Sequence, residues 1–577
     1  MLSLLNKRWI LRSPAPDRVD ELARSLGVSP VVARLLINRK VRTADDARAF
    51  LESDLASLHD PFLITGMEPA VDRILKAIAD KESIRLFCDY DVDGVTSAAF
   101  LTHFFRDLGV EVGYYLPERM KEGYGLNEQA VRTIRDEGDS LMITADCGIT
   151  SVREVELACS IGLDVIITDH HQVGGDGLPP AVAVLNPHRP DCDYPYRFLS
   201  GVGLAFKLAV AVRNALHHKA GWEKEKLPNM RRHLDLVALG TIADVAPLTG
   251  ENHVLARHGL EVLTTTDKPG LVALKSVADV DNRVGARAVG FALGPRLNAA
   301  GRLGKADSGF HLLTSVDLKE AKELARELDE TNKERKKIQE QAQEEAEYLT
   351  GREVDLEKDM AIVLASENFH SGVVGIVASR LAEKYFRPVV LIALDKGIGK
   401  GSARSIPRFN LHRAFTECAG HLVQFGGHAY AAGLTIEEGK VDSFRDAMND
   451  VGNRILSEED LIPELLIDTP LDISEIGGAL YGQISLMEPF GAENPSPVFL
   501  LRGVRVSGLR LIGRERTHVR FQAVQGRERI DAVGFNLARE FSSIDTESDS
   551  LDLACELQVN DWNGRNKLEL KVLDLRC

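Results

Sequence analysis

The chain has 577 residues, of which 27% are charged, with a net charge of −16 and seven cysteines. This length exceeds a single domain, so we expect three or four domains, each with its own core. The cysteines show no CxxC pair and no disulfide-like spacing, and no apolar run approaches a membrane span. These features exclude a disulfide-stapled or membrane-spanning class and predict a reducing, cytoplasmic location.

Residues 1 to about 60 are predicted to be helical and accessory. The segment LARSLGVSPVVARLLINR is typical of this region. Its residue types and spacing indicate no particular chemistry, so we expect the functional residues further along the chain.

The segment IRLFCDYDVDG, residues 84 to 94, places three carboxylates directly after an apolar run that is typical of a buried parallel strand. Asp89, Asp91 and Asp93 stand at alternate positions. Neighbouring carboxylates repel one another and raise one another's proton affinity, so a core strand tolerates them only where divalent cations neutralise their charge. The pattern therefore predicts a metal site at the end of this strand.

An EF-hand calcium loop is the nearest alternative, because the three aspartates and Gly94 match loop positions one, three, five and six. The match fails at position twelve, where Phe100 stands in place of a bidentate Glu. An apolar run also occupies the place of the entering helix. A solvated acidic turn is the other alternative, and the apolar flanks argue against it.

Two later segments repeat the arrangement. LMITADCG (141–148) and DVIITDHH (164–171) each consist of a β-branched run that ends in Asp and is followed by a helix-like stretch, and HLDLVALGTIADV (233–245) offers another Asp after an apolar segment. Because the carboxyl ends of parallel strands meet at one edge of a sheet, we expect the polar residues there to converge. The residues concerned are Asp91, Asp93, Asp146, Asp169, His170 and His171, to which the last segment adds Asp244.

These carboxylates and imidazoles form an oxygen-rich set of metal ligands. Adjacent histidines at a strand end, with carboxylates at neighbouring strand ends, favour metal ligation over the alternative of satisfied core histidines. Such a set suits Mn²⁺ or Mg²⁺ better than structural Zn²⁺, which prefers thiolates. Two ions that share a bridging carboxylate would activate water and stabilise an attacked phosphorus.

Residues 317 to 350, DLKEAKELARELDETNKERKKIQEQAQEEAEYLT, predict one helix of about 30 residues, about 45 Å long. Asp317 with Glu320 forms the pattern of a capping box, and Gly351 follows as a stop signal. Apolar residues are too sparse for a coiled coil. We therefore expect a rigid strut that holds two domains apart and leaves a groove between them.

A smaller Gly-rich domain follows, with GSARS at 401–405 and GGHAYAAG at 426–433. Paired glycines let backbone N–H groups approach phosphate oxygens, and Arg404 and His428 can add charge-assisted hydrogen bonds. Simple chain reversal is the alternative role of these glycines. Neither GIGKGS nor GRLGKA completes a Walker A loop, so ATP need not be involved.

Residues 501 to 530 concentrate positive charge in an otherwise acidic chain, with eight arginines against two glutamates. Their alternation of apolar and polar residues is typical of antiparallel strands and fits a small OB-type barrel. Aromatic residues are few, so backbone electrostatics should exceed base stacking in a contact with nucleic acid. An ordinary barrel with a solvated face is the alternative.

Four of these segments, DYDVDG, ADCG, DHH and GTIADV, resemble in this order the motifs of the DHH phosphoesterase superfamily. The resemblance implies a bridging role for Asp146 and places His171 at the scissile phosphate rather than, or as well as, at a metal. The implied metal ligands are Asp89, Asp91, Asp93, Asp146, His170 and Asp244. The implied catalytic residues are Asp91, Asp93, Asp146, His170, His171 and Asp244.

Further segments are similar to RecJ family exonucleases and together cover most of the chain. Examples are YYLPERMKEGYGLN (114–127), GPRLNAAGRLGKA (294–306), NFHSGVVGIVASRLAE (368–383) and PFGAENPSPVF (489–499). The resemblance implies contacts to DNA phosphates, and a pocket of arginines and Gly-rich turns would select a terminal 5′-phosphate. The residues assigned to DNA or phosphate binding are Arg119, Tyr124, Arg302, His370, Ser402, Arg404, Ser405, Gly426, Gly427 and His428.

The resemblance also implies the fold class, which is α/β. We expect a parallel-sheet DHH domain and a smaller α/β DHHA1 domain joined by a long helix, with a C-terminal β-barrel of OB type. The expected boundaries are 1–60 for the N-terminal accessory region, 61–316 for the DHH catalytic domain, 317–350 for the connecting helix, 351–458 for the DHHA1 substrate-binding domain and 459–577 for the OB-type nucleic-acid-binding domain.

The implied function is a single-stranded-DNA-specific 5′→3′ exonuclease that uses two Mn²⁺ or Mg²⁺ ions, releases 5′-mononucleotides and acts in DNA repair and recombination. The expected partners are single-stranded DNA, single-strand-binding protein and a recombination helicase, and we expect a monomer without membrane contact. One alternative is a DHH-type oligonucleotide or cyclic dinucleotide phosphodiesterase, which explains the metal site but not the basic third domain. The other is an inactive DNA-binding scaffold, against which the intact carboxylates argue because they are costly to bury without metal.

Overall fold

The computed structural model describes residues 2–118, 122–123, 125–175, 177–280, 283–303, 306–542, 544, 550–560 and 567–577. Two residues predicted to bind DNA, Arg119 and Tyr124, lie outside the described residues. The chain forms two compact units. Unit 1 comprises Met1–Asn38, Lys333–Gln483 and Pro497–Cys577, and unit 2 comprises Arg39–Asn332 and Ile484–Ser496.

The N-terminal region is mainly helical, as predicted, but it begins with a short strand. β1 (Arg8–Leu11) pairs in parallel with residues 464–467 and is followed by α1 (Pro16–Leu26) and α2 (Pro30–Asn38). Helix α1 has proline at its start and glycine just past its end, the asymmetry that favours a helix of this length. These elements belong to unit 1, whereas the next helix, α3 (Ala44–Glu52), belongs to unit 2.

Unit 2 is built on a five-stranded parallel sheet. Its strands are β2 (Ile84–Cys88), β3 (Gly113–Tyr115), β4 (Leu141–Ala145), β5 (Asp164–Thr168) and β6 (Ala183–Leu185). Their order in the sheet is β3-β2-β4-β5-β6, so the chain winds to one side after β2 and to the other side from β4 onward. In open parallel sheets such a reversal creates a crevice at the carboxyl ends of the two strands, where ligands bind.

Helices cover both faces of this sheet, because its strands bury apolar side chains on both sides. Ile84 and Leu86 of β2 face one core, and Phe87 faces the other. The helices are α4 (Met67–Asp80), α5 (Val92–Asp107), α6 (Glu128–Asp136), α7 (Val152–Ser160), α8 (Gly201–His218), α9 (Leu234–Ala243), α10 (Gly250–Thr265), α11 (Pro269–Val277), α12 (Ala286–Ala288), α13 (Gly294–Arg302) and α14 (Ala306–Thr314), with a π-helical turn at Val289–Leu293.

The predicted succession of strand, ligand and helix holds after β2 and β4 but is wrong after β5. Helices α5 and α7 follow the first two strands, whereas the described residues between β5 and β6 form no helix. Three glycines and two prolines occupy residues 174–180, and this composition breaks helices. The apolar segment 233–245 is largely helical, and Asp244 is the residue that ends α9.

The long helix predicted between the domains is present as α15 (Leu318–Glu353). The predicted stop at Gly351 is wrong, because the helix continues past it; an interior glycine costs a helix only about 1 kcal/mol. The predicted capping box is also wrong. Asp317 Oδ1 does accept bonds from backbone N–H groups of the first turn, but the carboxylate of Glu320 accepts a bond from the hydroxyl of Ser315 instead of the Asp317 backbone.

Unit 1 contains the smaller α/β domain. Its strands are β7 (Ile362–Ser366), β8 (Val389–Asp395), β9 (Ile398–Arg404), β10 (Gln424–Gly427) and β11 (Ala431–Glu437). They form a mixed sheet in the order β10-β11-β9-β8-β7, in which β7 and β8 are parallel and the other pairs antiparallel. The helices are α16 (Val374–Tyr385), α17 (Leu411–Glu417) and α18 (Val441–Ile455). Separate apolar cores on the two faces hold α16 on one side and α17 with α18 on the other.

The C-terminal part of unit 1 is a closed barrel, which confirms the OB-type prediction. From residue 464 onward the elements are β12 (Glu464–Ile467), β13 (Thr469–Pro470), α19 (Gly478–Ser485), β14 (Phe499–Ile512), β15 (His518–Gln525), β16 (Glu528–Gly534), α20 (Ala538–Ser542), β17 (Leu551–Asn560) and β18 (Lys567–Arg576). The last two residues of α19 belong to unit 2. Five strands pair in the order β14-β15-β16-β18-β17, and β17 pairs with β14 to close the barrel. Closure removes the unpaired edges of the sheet.

Two further features concern the cysteines and the apolarity of the helices. All seven cysteines are free thiols, five of them buried. Within the described part of the chain, no helix combines the length and the apolarity needed to cross a bilayer.

Candidate metal centre

The chain turns sharply from β2 into α5. Asp91 caps this helix, because its Oδ1 accepts hydrogen bonds from the backbone N–H groups of Asp93 at 2.9 Å and Gly94 at 3.2 Å. Only glycine fits at position 94, since a Cβ there would lie 2.3 Å from the carbonyl oxygen of Asp89. The turn thus gathers three carboxylates at the start of one helix, and those of Asp89 and Asp93 are buried.

A second helix, distant in sequence, fixes Asp93. Its two carboxylate oxygens accept hydrogen bonds from the backbone N–H groups of Gly201 at 2.6 Å and Val202 at 2.8 Å, the first residues of α8. A side chain at Gly201 would place its Cβ 2.7 Å from the Cβ of Asp146. The N-termini of α5 and α8 therefore both meet this cluster, where their dipoles favour negative charge.

His170 lies among carboxylates from three other segments. Its Nε2 is 3.0 Å from Oδ1 of Asp146 and 3.9 Å from carboxylate oxygens of Asp93 and Asp244. Burial and the neighbouring His171 lower the pKa of His170 to about 4. The imidazole is therefore neutral at neutral pH, the state in which it binds a metal ion.

His171 is oriented by Asp169. Its Nδ1 lies 2.8 Å from Oδ1 of Asp169, and its backbone N–H donates to the same oxygen at 3.0 Å. The other oxygen of Asp169 accepts a hydrogen bond from the N–H of Ile149 at 2.8 Å. Burial alone would lower the pKa of His171, but the hydrogen bond and charge of Asp169 outweigh it and raise that pKa to about 9.

The remaining carboxylates raise one another's pKa values. Burial and then the charge of Asp91 raise the pKa of Asp93 to about 7, although two N–H groups stabilise its charged form. Burial and the charges of Asp93 and Asp91 raise the pKa of Asp244 to about 9, and burial with the same neighbours raises that of Asp146 well above its ordinary value. These carboxylates need nearby positive charge to be ionised together at neutral pH.

Three groups of side chains have possible ligand atoms within 4.8 Å of one another. They are Asp89 with Asp91 and Asp146, Asp93 with His170 and Asp244, and Asp146 with His170 and His171. The structure therefore brings together every metal ligand predicted from the sequence, together with His171. Oxygen ligands with one or two imidazoles fit Mn²⁺ or Mg²⁺, and the mutual repulsion of the carboxylates supplies the reason for binding a cation.

Sequence reasoning missed the groups that support this cluster from outside. Besides Gly201, these include Asn298, whose Oδ1 accepts a hydrogen bond from the N–H of Val92 at 3.3 Å. A Cβ on Gly301 would lie 2.7 Å from the carbonyl oxygen of Tyr90, so the NAAGR segment packs directly on the DYDVDG turn. Arg302, a predicted phosphate-binding residue, follows at the end of α13.

In unit 1, several predicted phosphate-binding residues lie together on the mixed sheet. Ser402 pairs across the sheet with Gly433, which pairs in turn with Gly426. Nη1 of Arg404 donates to Oγ of Ser402 at 3.2 Å. A Cβ on Gly375 would lie 2.9 Å from that Oγ and 3.2 Å from the Arg404 guanidinium, so the first turn of α16 lies against this pair.

The other residues predicted in unit 1 have more local roles. His370 begins the turn into α16, and its Nδ1 accepts a hydrogen bond from the N–H of Gly372 at 3.0 Å. Gly427 has a φ of 135°, which favours glycine, and the exposed His428 follows it. The hydroxyl of Ser405 donates to the carbonyl of Phe409 at 2.6 Å, a contact within its own loop.

Models of three known families match separate parts of the chain. Residues 83–241 match the N-terminal domain of the DHH family, and residues 358–453 match the DHHA1 domain. Residues 467–574 match the RecJ OB domain.

Two relatives are similar over nearly the whole chain. The single-stranded-DNA-specific exonuclease RecJ of Bacillus subtilis (strain 168) is 41% identical over 571 residues, which are 98% of this chain and 70% of that protein. The protein of the same name from Escherichia coli (strain K12) is 36% identical over 576 residues, 97% of this chain and 98% of that protein. The chain belongs to the RecJ family.

Solved structures of RecJ family members have folds similar to that of this chain. The crystal structure of RecJ from Thermus thermophilus in complex with Mn²⁺ has a TM-score of 0.82 at 30% identity, covering 99% of this chain and 79% of that chain. The Mg²⁺ complex from the same organism has a TM-score of 0.77 at 29% identity, covering 99% and 78%. The oxygen-rich donor set of this chain thus fits the ions named for the Thermus thermophilus protein.

Proposed function

We propose that this RecJ family member is a metal-dependent exonuclease that degrades single-stranded DNA in the 5′→3′ direction, releases 5′-mononucleotides and acts in DNA repair and recombination. The observation that carries the proposal is the convergence of five buried or half-buried aspartates with His170 and His171. Relatives named as single-stranded-DNA-specific exonucleases match the full length of the chain rather than its DHH part alone. This disfavours the alternative of a cyclic dinucleotide phosphodiesterase.

Two divalent ions, Mn²⁺ or Mg²⁺, fit the ligand groups better than one. Asp146 belongs to the group with Asp89 and Asp91 and lies in another group with His170, which also groups with Asp93 and Asp244, so Asp146 would bridge the two ions. When bound, such ions activate a water molecule and offset the charge of the attacked phosphate. Hydrogen bonds from backbone N–H groups of α5 and α8 hold Asp91 and Asp93 in place, which preorganises the site.

We assign His171 to the scissile phosphate. Its side chain is 38% exposed, compared with 17% for that of His170, so it is the imidazole more accessible to substrate. Its Nδ1 bonds to Asp169, so contact with a phosphate oxygen would be made through Nε2. A cationic imidazole there would stabilise the negative charge that develops on the phosphate.

Polarity requires a group that binds one end of the strand, because metal-assisted hydrolysis does not distinguish the two ends. We assign this role in unit 1 to Arg404 and Ser402 with the first turn of α16. Gly375 and Gly426 carry no side chain there, and the space around Gly426 is open, so a phosphate can approach the backbone. In unit 2, Arg302 is assigned as a further phosphate contact.

The barrel arginines would bind the DNA backbone further along the strand. All eight arginines of residues 501–530 are exposed. Among the described residues, Arg520 is the one of these eight that forms an ion pair, with Glu569 at 2.6 Å. The other seven therefore keep their charge available for phosphates.

The test is an end-labelling assay in Mn²⁺. Single strands labelled at the 5′ or the 3′ end, each with a 5′-phosphate or a 5′-hydroxyl, are compared with duplex DNA, a cyclic dinucleotide and polyphosphate. We expect early release of the 5′ label as a mononucleotide, faster hydrolysis of 5′-phosphorylated single strands than of all other substrates, and loss of the 5′-phosphate preference in Arg404→Ala. Release from the 3′ end, or preference for the cyclic dinucleotide, would contradict the proposal.

Three further expectations remain predictions. They are contacts with single-strand-binding protein and a recombination helicase, a monomeric state and a cytoplasmic location. Size-exclusion chromatography with light scattering would test the monomeric state, and affinity measurements with the purified partners would test the contacts.

A further inference from the structure

We infer that Phe198, with His188 packed against it, is a stacking platform for the base of a nucleotide whose phosphate lies at the metal centre. The inference rests on the proposed function and specifies how the same site holds its substrate. It assigns a positioning role to two residues that neither the DHH motifs nor the predicted phosphate-binding segments include.

The backbone ties Phe198 to the metal centre. The next residue, Leu199, hydrogen-bonds His170 through its backbone, and Gly201 donates its N–H to Asp93 at 2.6 Å. Successive Cα atoms are about 3.8 Å apart, so Phe198 stands one residue from a contact with a proposed metal ligand.

His188 reaches the same place from another loop. The side-chain amide of Asn186 donates to the carbonyl of His171 at 2.8 Å, and its oxygen accepts the N–H of His188 at 2.7 Å. The rings of His188 and Phe198 are 6.0 Å apart and inclined at 71°. Two loops, each anchored to one of the adjacent histidines His170 and His171, thus bring these rings together.

Phe198 is held firmly although much of it faces solvent. Its surface is 52% exposed. Its carbonyl accepts a hydrogen bond from the buried side chain of Asn252, and its ring packs against Tyr196 at 5.9 Å. The hydroxyl of Tyr196 in turn donates to the carbonyl of Pro247 at 3.1 Å. A large apolar ring that is held in contact with water does not gain the free energy of burial. A base stacked on the ring would cover part of its surface and supply that gain.

The surroundings favour a nucleotide over a protein partner. Arg197, the exposed neighbour of Phe198, adds positive charge next to the ring, which complements a phosphate backbone. The backbone of the next residue, Leu199, contacts His170, so a base attached to a phosphodiester at the metal centre would lie near these loops. Stacking of a base on an aromatic side chain changes affinity by roughly 5- to 150-fold and tolerates every base.

The test uses strands that lack a single base. Initial rates in Mn²⁺ are measured on 5′-phosphorylated single strands that are intact or carry one abasic nucleotide at position 1, 2 or 3 from the 5′ end. In the wild type, we expect KM to rise about tenfold for an abasic nucleotide at one of these positions. In Phe198→Ala, KM for the intact strand should rise by a similar factor, and the abasic nucleotide at that position should add no further loss.

Companion variants separate stacking from folding. Phe198→Leu keeps apolar bulk without a ring and should behave like Phe198→Ala, whereas Phe198→Tyr should behave like the wild type. Phe62→Ala removes another partly exposed phenylalanine of unit 2, and we expect it to leave both KM values unchanged. Mn²⁺ affinity, measured by calorimetry, should be equal in all of these proteins.

The outcomes distinguish the inference from the proposed function. The inference alone would be overturned if Phe198→Ala and Phe198→Leu degraded intact strands at the wild-type rate. In that case an abasic nucleotide would still raise KM in both variants as it does in the wild type. An equal abasic effect at all three positions would also overturn it. Failure of the wild type to degrade any strand would overturn the proposed function and, with it, the inference.

Discussion

His171 and Asp169 lie two residues apart in the chain, and Nδ1 of His171 is 2.8 Å from Oδ1 of Asp169. Asp169 belongs to the DHH triplet, yet it is absent from the three groups of possible metal ligands. We expect Asp169 to orient the imidazole and to keep it protonated, because burial opposes the charge and the carboxylate outweighs burial. On the proposed assignment, the triplet would combine a positioning carboxylate, a metal-ligating imidazole and a cationic imidazole.

Asp169→Asn should remove the charge that keeps His171 protonated. In the metal-free wild type, the pKa of His171 is raised to about 9, so this group stabilises the fold fully below about pH 6.5 and loses its contribution as pH rises through 9. In the variant, the pKa of His171 should fall well below 9, because burial opposes the charge and only the attraction of carboxylates such as Asp244 and Asp89 remains. NMR titration of the histidines in metal-free protein measures both values. A pKa that stays near 9 in the variant would contradict this account.

Removal of metal should make stability depend strongly on pH. The pKa values of Asp93 and Asp244 are raised to about 7 and about 9, so the folded metal-free protein binds protons that the unfolded chain releases. Its stability should therefore fall as pH rises from about 6.5 to 9, a range above that in which the lowered pKa of His170 acts in the opposite direction. At pH 8, Mn²⁺ at about 100 times its Kd should raise the Tm of unit 2 by roughly 5 °C. Thermal scans with chelator and with Mn²⁺ test this, and equal Tm values at pH 8 would speak against a cation site.

Gly201→Ala should disturb the metal centre without changing a ligand. The added Cβ would lie 2.7 Å from the Cβ of Asp146, so the start of α8 has to move away and weaken its bonds to Asp93. Displacements of about 1 Å in an active site cost about 10²-fold in rate, and we expect kcat to fall by about that factor. Gly351→Ala is the matched control, because a Cβ there meets no other atom within 4 Å. Equal kcat values for the two variants would refute the packing argument.

Neutralising exposed barrel arginines should weaken binding of single-stranded DNA in a salt-dependent manner. Each lost phosphate contact lowers the slope of log affinity against log salt by about 0.7, so Arg505, Arg510 and Arg514 changed together to Gln should lower it by about 2. Arg520→Gln is the control, because Arg520 already pairs with Glu569. Fluorescence anisotropy at several salt concentrations gives the slopes. An unchanged slope in the triple variant would show that these arginines do not contact DNA.

The sequence predicted the parts of the site that are encoded locally. Asp89, Asp91 and Asp93 follow a strand whose apolar run identifies it, and Asp146 and His170 follow two more such strands of the same sheet. Parallel strands align their carboxyl ends, so convergence of these residues follows from the pattern alone. The barrel could likewise be predicted from the alternation of apolar and polar residues over residues 501–530.

Contacts between residues far apart in the chain could not be predicted from the sequence. Gly201 binds Asp93 across 108 positions of sequence, and no local periodicity encodes such a pair. Residues 484–496 belong to unit 2 although the barrel follows them, because contacts such as that between the N–H of Leu248 and the carbonyl of Ala492 hold them there. The end of α15 was predicted wrongly because Gly351 does not adopt the positive φ of a glycine that ends a helix. The amino-acid sequence does not give the φ of a residue.

The central claim is that Asp146 holds catalytic metal for hydrolysis of single-stranded DNA, and Asp146→Asn tests it most directly. Asp146 has a φ of 63°, a conformation that Asn tolerates and Ala does not, so this variant removes the charge and spares the backbone. The measurement is the initial rate of 5′-mononucleotide release from a 5′-phosphorylated single strand in Mn²⁺. We predict a fall of at least about 10²- to 10³-fold with an unchanged circular dichroism spectrum. Release at a near wild-type rate would contradict the account.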